Sequence, residues 1–262
     1  MSGTRMFFEI VMAALVSGSA CAAAGFILAN LRSSFLGITM SHAAMAGAVF
    51  AKLLGLPMFP SAFGVALGGA FAIGPLADRT RIDTNLAMGI VFSLSMGLAF
   101  MGIGLASGSK SDLLGLIWGS ILLIPTRDLI LMTAIALLFF LFILFMEKEI
   151  KAVIFSRTIA AAAGLPERFI TYALLIACGA VITASLETVG GLLLFALLTN
   201  PVAAAQRLFR SYRATLFGSA GLGAASALGG LGLSLGFGLP AGASIVIVSG
   251  LIFILSLFRR KA

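Results

Sequence analysis

The chain has 262 residues, 61% of them hydrophobic and only 10% charged, with a mean hydropathy of +1.17. These values lie far outside the range of soluble globular domains and put the chain in lipid. A net charge of +8 would suit nucleic acid, but the basic residues stand in twos and threes between apolar runs with no aromatic interleaving, which argues against that partner.

Crossing the hydrocarbon core takes about 20 predominantly apolar residues, and such runs recur from Met6 to Phe258 with no polar region long enough for another domain. Residues 1–262 are therefore read as one transmembrane domain. Arg5, the apolar run from Met6 and the small residues from Ser19 to Ala24 imitate a signal peptide. The run continues to Leu31, however, which predicts a retained span. Apolar runs and their punctuation predict helical spans at about 7–31, 36–55, 59–76, 84–106, 128–147, 169–186, 188–206, 214–235 and 241–258. The fold class is thus all-α and polytopic, with about nine spans and eight to ten as the range. Residues 111–128 are too short and too polar at their ends to cross, so they are expected to form an interfacial or re-entrant helix anchored by Trp118.

Cys21 and Cys178 both fall inside predicted spans and are read as packing residues rather than a disulfide framework. The eleven methionines are mostly core filling in such a chain. A copper-type site using Cys21, Cys178 and Met45 is the weaker alternative. The glycine-rich stretch at 229–242 follows no strand, so it is read as a helix end and tight turn rather than a nucleotide loop.

Alternate connections divide the Lys and Arg residues unevenly. One side receives Arg32, Arg79, Arg81, Lys148, Lys151, Arg157, Arg168, Arg207, Arg210, Arg213, Arg259, Arg260 and Lys261, while the other has Arg5, Lys52, Lys110 and Arg127. This asymmetry predicts that the C-terminus and the 148–168 connection are cytoplasmic and, with nine spans, that the N-terminus is outside. Within that connection, Arg157 to Ala163 has the composition of a short surface helix stopped by Gly164 and Pro166. It could dock a soluble partner or be an ordinary inter-helix loop.

The stretch FILANLRSSFLGITMSHAAMAGAVFA, 26–51, resembles the second-span signature of permeases from bacterial ABC importers for zinc, manganese and iron. FSRTIAAAAGLP, 155–166, is similar to that family's cytoplasmic coupling segment, ETVGGLLLFALLTNPVAAAQRLF to its penultimate block, and LPAGASIVIVSGLIFIL to its final span. The resemblance covers nearly the whole chain. It implies a type II importer permease fold in the bacterial inner membrane, with two permease copies forming the path, a cytoplasmic ATPase dimer and an extracytoplasmic metal-binding protein. Ser156, Arg157, Thr158, Ala160, Gly164 and Pro166 would belong to the surface that couples to the ATPase. The sequence has no Gly-Lys dipeptide and hence no phosphate-cradling G-x-x-x-x-G-K-[ST] loop. ATP is accordingly expected on the partner subunit, and no cofactor on this chain.

His42 is the only histidine. Counted from Phe35 at about 1.5 Å per residue it lies some 10 Å into the membrane, where an ionisable residue is a functional candidate. Ile38, Thr39, Met45 and Ala46 share its helical face, with Thr39 and Met45 as candidate pathway residues. Neutral imidazole is a common ligand for Zn, Mn and Fe ions. The family pattern places an aspartate four residues before this histidine, but here that position is Ile38, so the departure bears on which cargo is carried. Glu187 is the candidate replacement ligand, at an entry site or outer gate, or else an interfacial carboxylate. The rise count from Arg168 puts it about 28 Å up, so sharing an ion with His42 would need a broken or tilted helix. Glu9 is read as an interfacial carboxylate near the outer end of its span. Asn200 precedes Pro201, where a freed carbonyl could line a pathway or simply mark a kink.

Paired catalytic carboxylates, H-E-x-x-H, C-x-x-C and nucleophile-elbow patterns are absent, so no enzyme is expected, although a homodimer could bring two His42 residues to one path. The expectation is a permease subunit of an ATP-driven divalent-metal importer working by alternating access. Its rivals are a related permease carrying a chelated metal and an ATP-independent secondary transporter.

Overall fold

A computed structural model describes residues 3–31, 33–106 and 124–258. Their regular structure is entirely helical: α1 (Gly3–Asn30), α2 (Ser34–Leu54), α3 (Met58–Thr80), α4 (Thr84–Leu105), α5 (Thr126–Phe145), α6 (Glu147–Phe155), α7 (Arg157–Ala162), α8 (Glu167–Val189), α9 (Gly191–Leu208), α10 (Tyr212–Phe237) and α11 (Ala241–Phe258). Eight of these, α1 to α5, α8, α10 and α11, are long and apolar enough to cross a membrane. The expected ninth span coincides with α9. Most of the segment expected at the interface around Trp118 lies outside the described residues, and its last residues open α5.

Two of the spans begin at side-chain caps. Asp83 caps α4 by accepting the Asn85 N–H at 2.8 Å, and Ser211 caps α10 by accepting the Ala214 N–H at 3.2 Å, each satisfying a donor that the first turn leaves open. The bundle brings the ends of α1 and α6 together with the starts of α2, α4 and α7, since Asn30, Ser33, Thr84, Asn85, Phe155 and Arg157 line one cavity. These connections, with the one around Arg207 and Arg210, form the basic end of the bundle.

Lipid gives apolar side chains no reason to prefer a helix neighbour, so the contacts depend on close backbone approach at small residues. α1 packs most extensively on α10, and α2 on α3 and α4. Gly18 and Gly223 face each other across the α1–α10 contact, where a Cβ added at Gly18 would stand 2.5 Å from the Gly223 carbonyl oxygen. Gly25 lies directly against the backbone of Leu198 in α9, and Gly47 against Ser61 and Ala62 in α3. α1, first readable as a signal peptide, is therefore a packed core helix. At the end opposite the basic one, Glu9 receives Arg5 Nε at 3.3 Å and the Thr126 hydroxyl at 3.1 Å, tying α1 to the first turn of α5.

Candidate functional site

α2 is buried almost continuously from Leu36 to Ala51, as expected of a helix held on several sides by others. His42 is 1% exposed. Its Nδ1 lies 3.0 Å from the Ile38 carbonyl oxygen, an atom that can only accept, so in the neutral ring Nδ1 carries the proton and Nε2 the lone pair. Fixing one nitrogen in this way prepares the other as a ligand. Ser41 Oγ is 3.3 Å from Nδ1, and the Phe92 ring from α4 packs edge-on at 4.8 Å between centroids. Ile38 is half-buried and offers this site a backbone carbonyl where the family pattern has a carboxylate.

Thr39, fully buried, donates to the Phe35 carbonyl at 3.1 Å and lies 3.5 Å from the Met88 carbonyl. Met45 belongs to an apolar cluster with Val49, Ala62, Ala66, Ala99 and Leu186. Asn200 donates through Nδ2 to Ser249 Oγ of α11 at 3.0 Å, so its amide joins two helices. Cys21 and Cys178 are fully buried, and Cys178 Sγ stands 3.8 Å from the Ala24 carbonyl. Among the described residues, no group of three or more His, Cys, Asp and Glu could hold a metal ion.

The junction between α8 and α9 differs from the straight-helix count. α8 stops at Gly190, whose φ of +89° is costly for a residue with a Cβ. Val189, Gly190 and Gly191 are all buried, and Ser41 Oγ comes within 3.5 Å of the Gly191 carbonyl oxygen. The break therefore lies beside the turn of α2 that carries His42, not at a remote outer level. The Glu187 backbone closes the last turn of α8, and its side chain lies outside the described residues.

At the basic end, Ser156 caps α7 by accepting the Ile159 N–H at 3.3 Å. The helix closes with paired bonds from Leu165 N–H to the Ala160 carbonyl and from Gly164 N–H to the Ala161 carbonyl, both 3.0 Å. This closure requires a left-handed residue, supplied by Gly164 at φ +80°. Pro166 then caps α8. Arg157 and Thr158 are exposed, with Ile159 at 59% and Phe155 at 82%, while Ala160 is 1% exposed and anchors the helix.

The sequence reading missed an ion pair that steadies this region. Glu147, 7% exposed at the start of α6, accepts from Arg213 Nε and Nη2 of α10 at 2.8 and 2.6 Å, and also pairs with Lys151. Hydrogen bonds from Arg213 and Lys151 hold its carboxyl down to about 2. The only sequence signal was a carboxylate directly after an apolar span.

An all-helical bundle with eight helices long and apolar enough to cross a membrane is the architecture of a multi-pass membrane protein. The chain belongs to the ABC 3 transport family, which it matches over residues 4–260. It is 30% identical over 250 residues to the manganese transport system membrane protein MntC of Halalkalibacterium halodurans, covering 95% of this chain and 86% of that one. It is 31% identical over 249 residues to the chelated iron transport system membrane protein YfeD of Yersinia pestis, covering 94% and 83%. Among solved structures it superposes on PsaBC from Streptococcus pneumoniae in complex with Fab, with a TM-score of 0.91, 28% identity and coverage of 97% and 92%. The resemblance read from the sequence thus holds for the family and the fold.

Proposed function

We propose that the chain is the permease subunit of an ATP-driven importer for a divalent metal ion of the manganese and iron class, moving its cargo by alternating access between two permease copies. The observation that carries the cargo reading is His42: a lone imidazole, buried in the family's second span, with its ligand nitrogen selected by the Ile38 carbonyl. A buried ionisable side chain in a membrane is costly unless it serves a pathway, and neutral imidazole can both take and release such ions.

On this reading the basic end faces the cytoplasm, as the positive-inside bias requires, and the C-terminus lies there too. An ATPase dimer docks on α7 and the end of α6 through Phe155, Ile159 and the exposed flank from Arg157, while an extracytoplasmic metal-binding protein delivers the ion at the other end. ATP hydrolysis then belongs to the docked subunit, and its closure is transmitted through α6 and α7 to the helices around His42. Ile38 favours one further reading of the cargo. Without a carboxylate at position 38, a metal that arrives already chelated would need less from the protein, which suits the likeness to the Yersinia relative.

The test is ATP-dependent uptake by the reconstituted complex against Mn, Fe, Co, Ni, Cu and Zn, each as free ion and as chelate. Carriage of one free divalent ion that is lost in His42→Ala supports the principal reading. Transport of chelates alone, insensitive to His42→Ala, supports the second. Uptake that continues without ATP or an ATPase subunit refutes both.

A further inference from the structure

Three cavities at the basic end converge on one side chain. The largest, 620 Å³, lies among α2, α3, α4 and α8 and is lined in part by Leu36, Phe71, Thr84, Met88 and Arg157. A 540 Å³ cavity on the other side of the same space is lined by Asn30, Ser33, Asn85, Met88, Ser156 and Arg157, among others. A third, of 370 Å³, opens along α7 and again includes Arg157. The first two share Ser33, Thr84, Met88 and Arg157, so they are two sides of one vestibule. Its inner limit is close to the candidate site: Met88 holds the Thr39 contact, one turn from His42, and Leu36 is six residues before it, about 9 Å of helix.

The chemistry of the walls is one-sided. Among the described residues lining the two shared cavities, Arg157 is the sole charged side chain; the other polar groups are hydroxyls and amides. The third cavity adds Glu167 and Arg168, which pair with each other at 3.6 Å. No ion pair of Arg157 occurs among the described residues. Carboxylates are not excluded from cavities elsewhere in the bundle, since the 330 Å³ pocket at the opposite end holds Asp128 beside Arg127.

We propose that Arg157 is a cation-repelling exit gate: its charge, on the first residue of α7, keeps the vestibule below His42 a poor place for a divalent ion. Arg157 lines the vestibule from its open, solvent-exposed side, so water screens its charge in part, and a divalent ion still feels twice the repulsion of a monovalent one. The other polar side chains lining the two cavities among the described residues are neutral hydroxyls and amides. Divalent ions then occupy the vestibule sparsely, from whichever side they enter it. This assignment rests on the import reading and adds to it a residue that keeps the cytoplasmic vestibule thinly occupied by cargo.

The experiment is inhibition of ATP-dependent Mn²⁺ uptake by Mn²⁺ added on the ATPase side of reconstituted complexes, expressed for each variant as the concentration that halves its own uptake. Arg157→Gln removes the charge, Arg157→Lys retains it, and Asn85→Asp adds a carboxylate to the vestibule wall without touching α7. The gate predicts that Arg157→Gln and Asn85→Asp lower the half-inhibiting concentration about threefold, the scale of losing one positive or adding one negative solvent-screened charge, while Arg157→Lys stays near wild type. An unchanged or raised value in Arg157→Gln overturns the proposal, as does a Lys variant behaving like Gln, which would make the role one of shape at the docking surface. If Arg157→Gln fails to assemble, Asn85→Asp decides alone, and an unshifted value there overturns the gate. Absence of ATP-dependent uptake in the wild-type complex instead overturns the import reading, and the gate falls with it.

Discussion

Glu147 and Arg213, 66 residues apart in the chain, meet in a bidentate pair that fastens the start of α6 to the start of α10. Lys151, one turn along α6, joins the same carboxylate and also lies over the Tyr212 ring at 5.1 Å. α6 leads directly into α7, so this pair fixes the base from which α7 projects. Arg213 is 71% exposed, and solvent screening limits what the pair adds to overall stability.

The pair makes a pH prediction with a definite sign. The Glu147 carboxyl is held down to about 2 by hydrogen bonds from Arg213 and Lys151, below the ordinary glutamate value of about 4.3. A depressed carboxyl stabilises the fold fully above its unfolded value and loses that contribution as pH falls toward the folded value. Between about pH 5 and pH 2 the wild type should therefore lose more thermal stability than Glu147→Gln, and the two melting curves should converge in acid. Parallel loss across that window would show that Glu147 gains nothing from its partners.

Close backbone approach makes a second prediction. Gly25→Ala places a methyl against the Leu198 backbone, where neither helix can yield without separating, whereas the same change at Gly68 meets nothing within 4 Å. Overpacking of this kind costs about 1–3 kcal/mol. Detergent-solubilised Gly25→Ala should melt measurably lower than wild type, and Gly68→Ala should not. Equal melting of the two variants would mean that α1 and α9 can part without penalty.

α7 gives a third. Ser156→Ala removes the cap on the Ile159 N–H, a loss of about 1 kcal/mol, and Gly164→Ala forces a side chain into a left-handed conformation at about 1 kcal/mol. Both should speed amide hydrogen exchange across 157–165 and weaken ATPase co-purification, leaving exchange in α10 unchanged. Faster exchange with full co-purification would detach docking from the order of α7.

What the sequence made legible follows its local signals. The stop of α7 could be read because Gly164 and Pro166 act within a residue or two of where they stand, and His42 because an ionisable side chain in an apolar run is unusual wherever it folds. The Glu147–Arg213 pair could not, since neither residue's neighbours indicate a partner on another helix. The nearness of the α8–α9 break to Ser41 was hidden for another reason: counting rise per residue assumes straight helices along the membrane normal, and Gly190 ends one of them inside the protein. Arg157 was visible only as part of a docking segment, because a cavity assembled from several helices leaves no trace in the order of residues.

Ile38 supplies the last prediction. Four residues before His42 on the same helical face, an aspartate there would offer hard oxygen ligands beside the imidazole, the combination that Mn²⁺ prefers over imidazole alone. Ile38→Asp should leave the backbone carbonyl of residue 38 in place to orient His42, so on the proposed reading the ring still offers Nε2 while the site gains a charge. Competition among ions in the uptake assay should then shift toward Mn²⁺ by about tenfold relative to softer ions, a typical scale for changing groups around a metal ligand, and the double variant Ile38→Asp, His42→Ala should lose the shift. If Ile38→Asp changes uptake of every ion by the same factor, the side chain at this position controls access or packing, and selectivity is set elsewhere along the path.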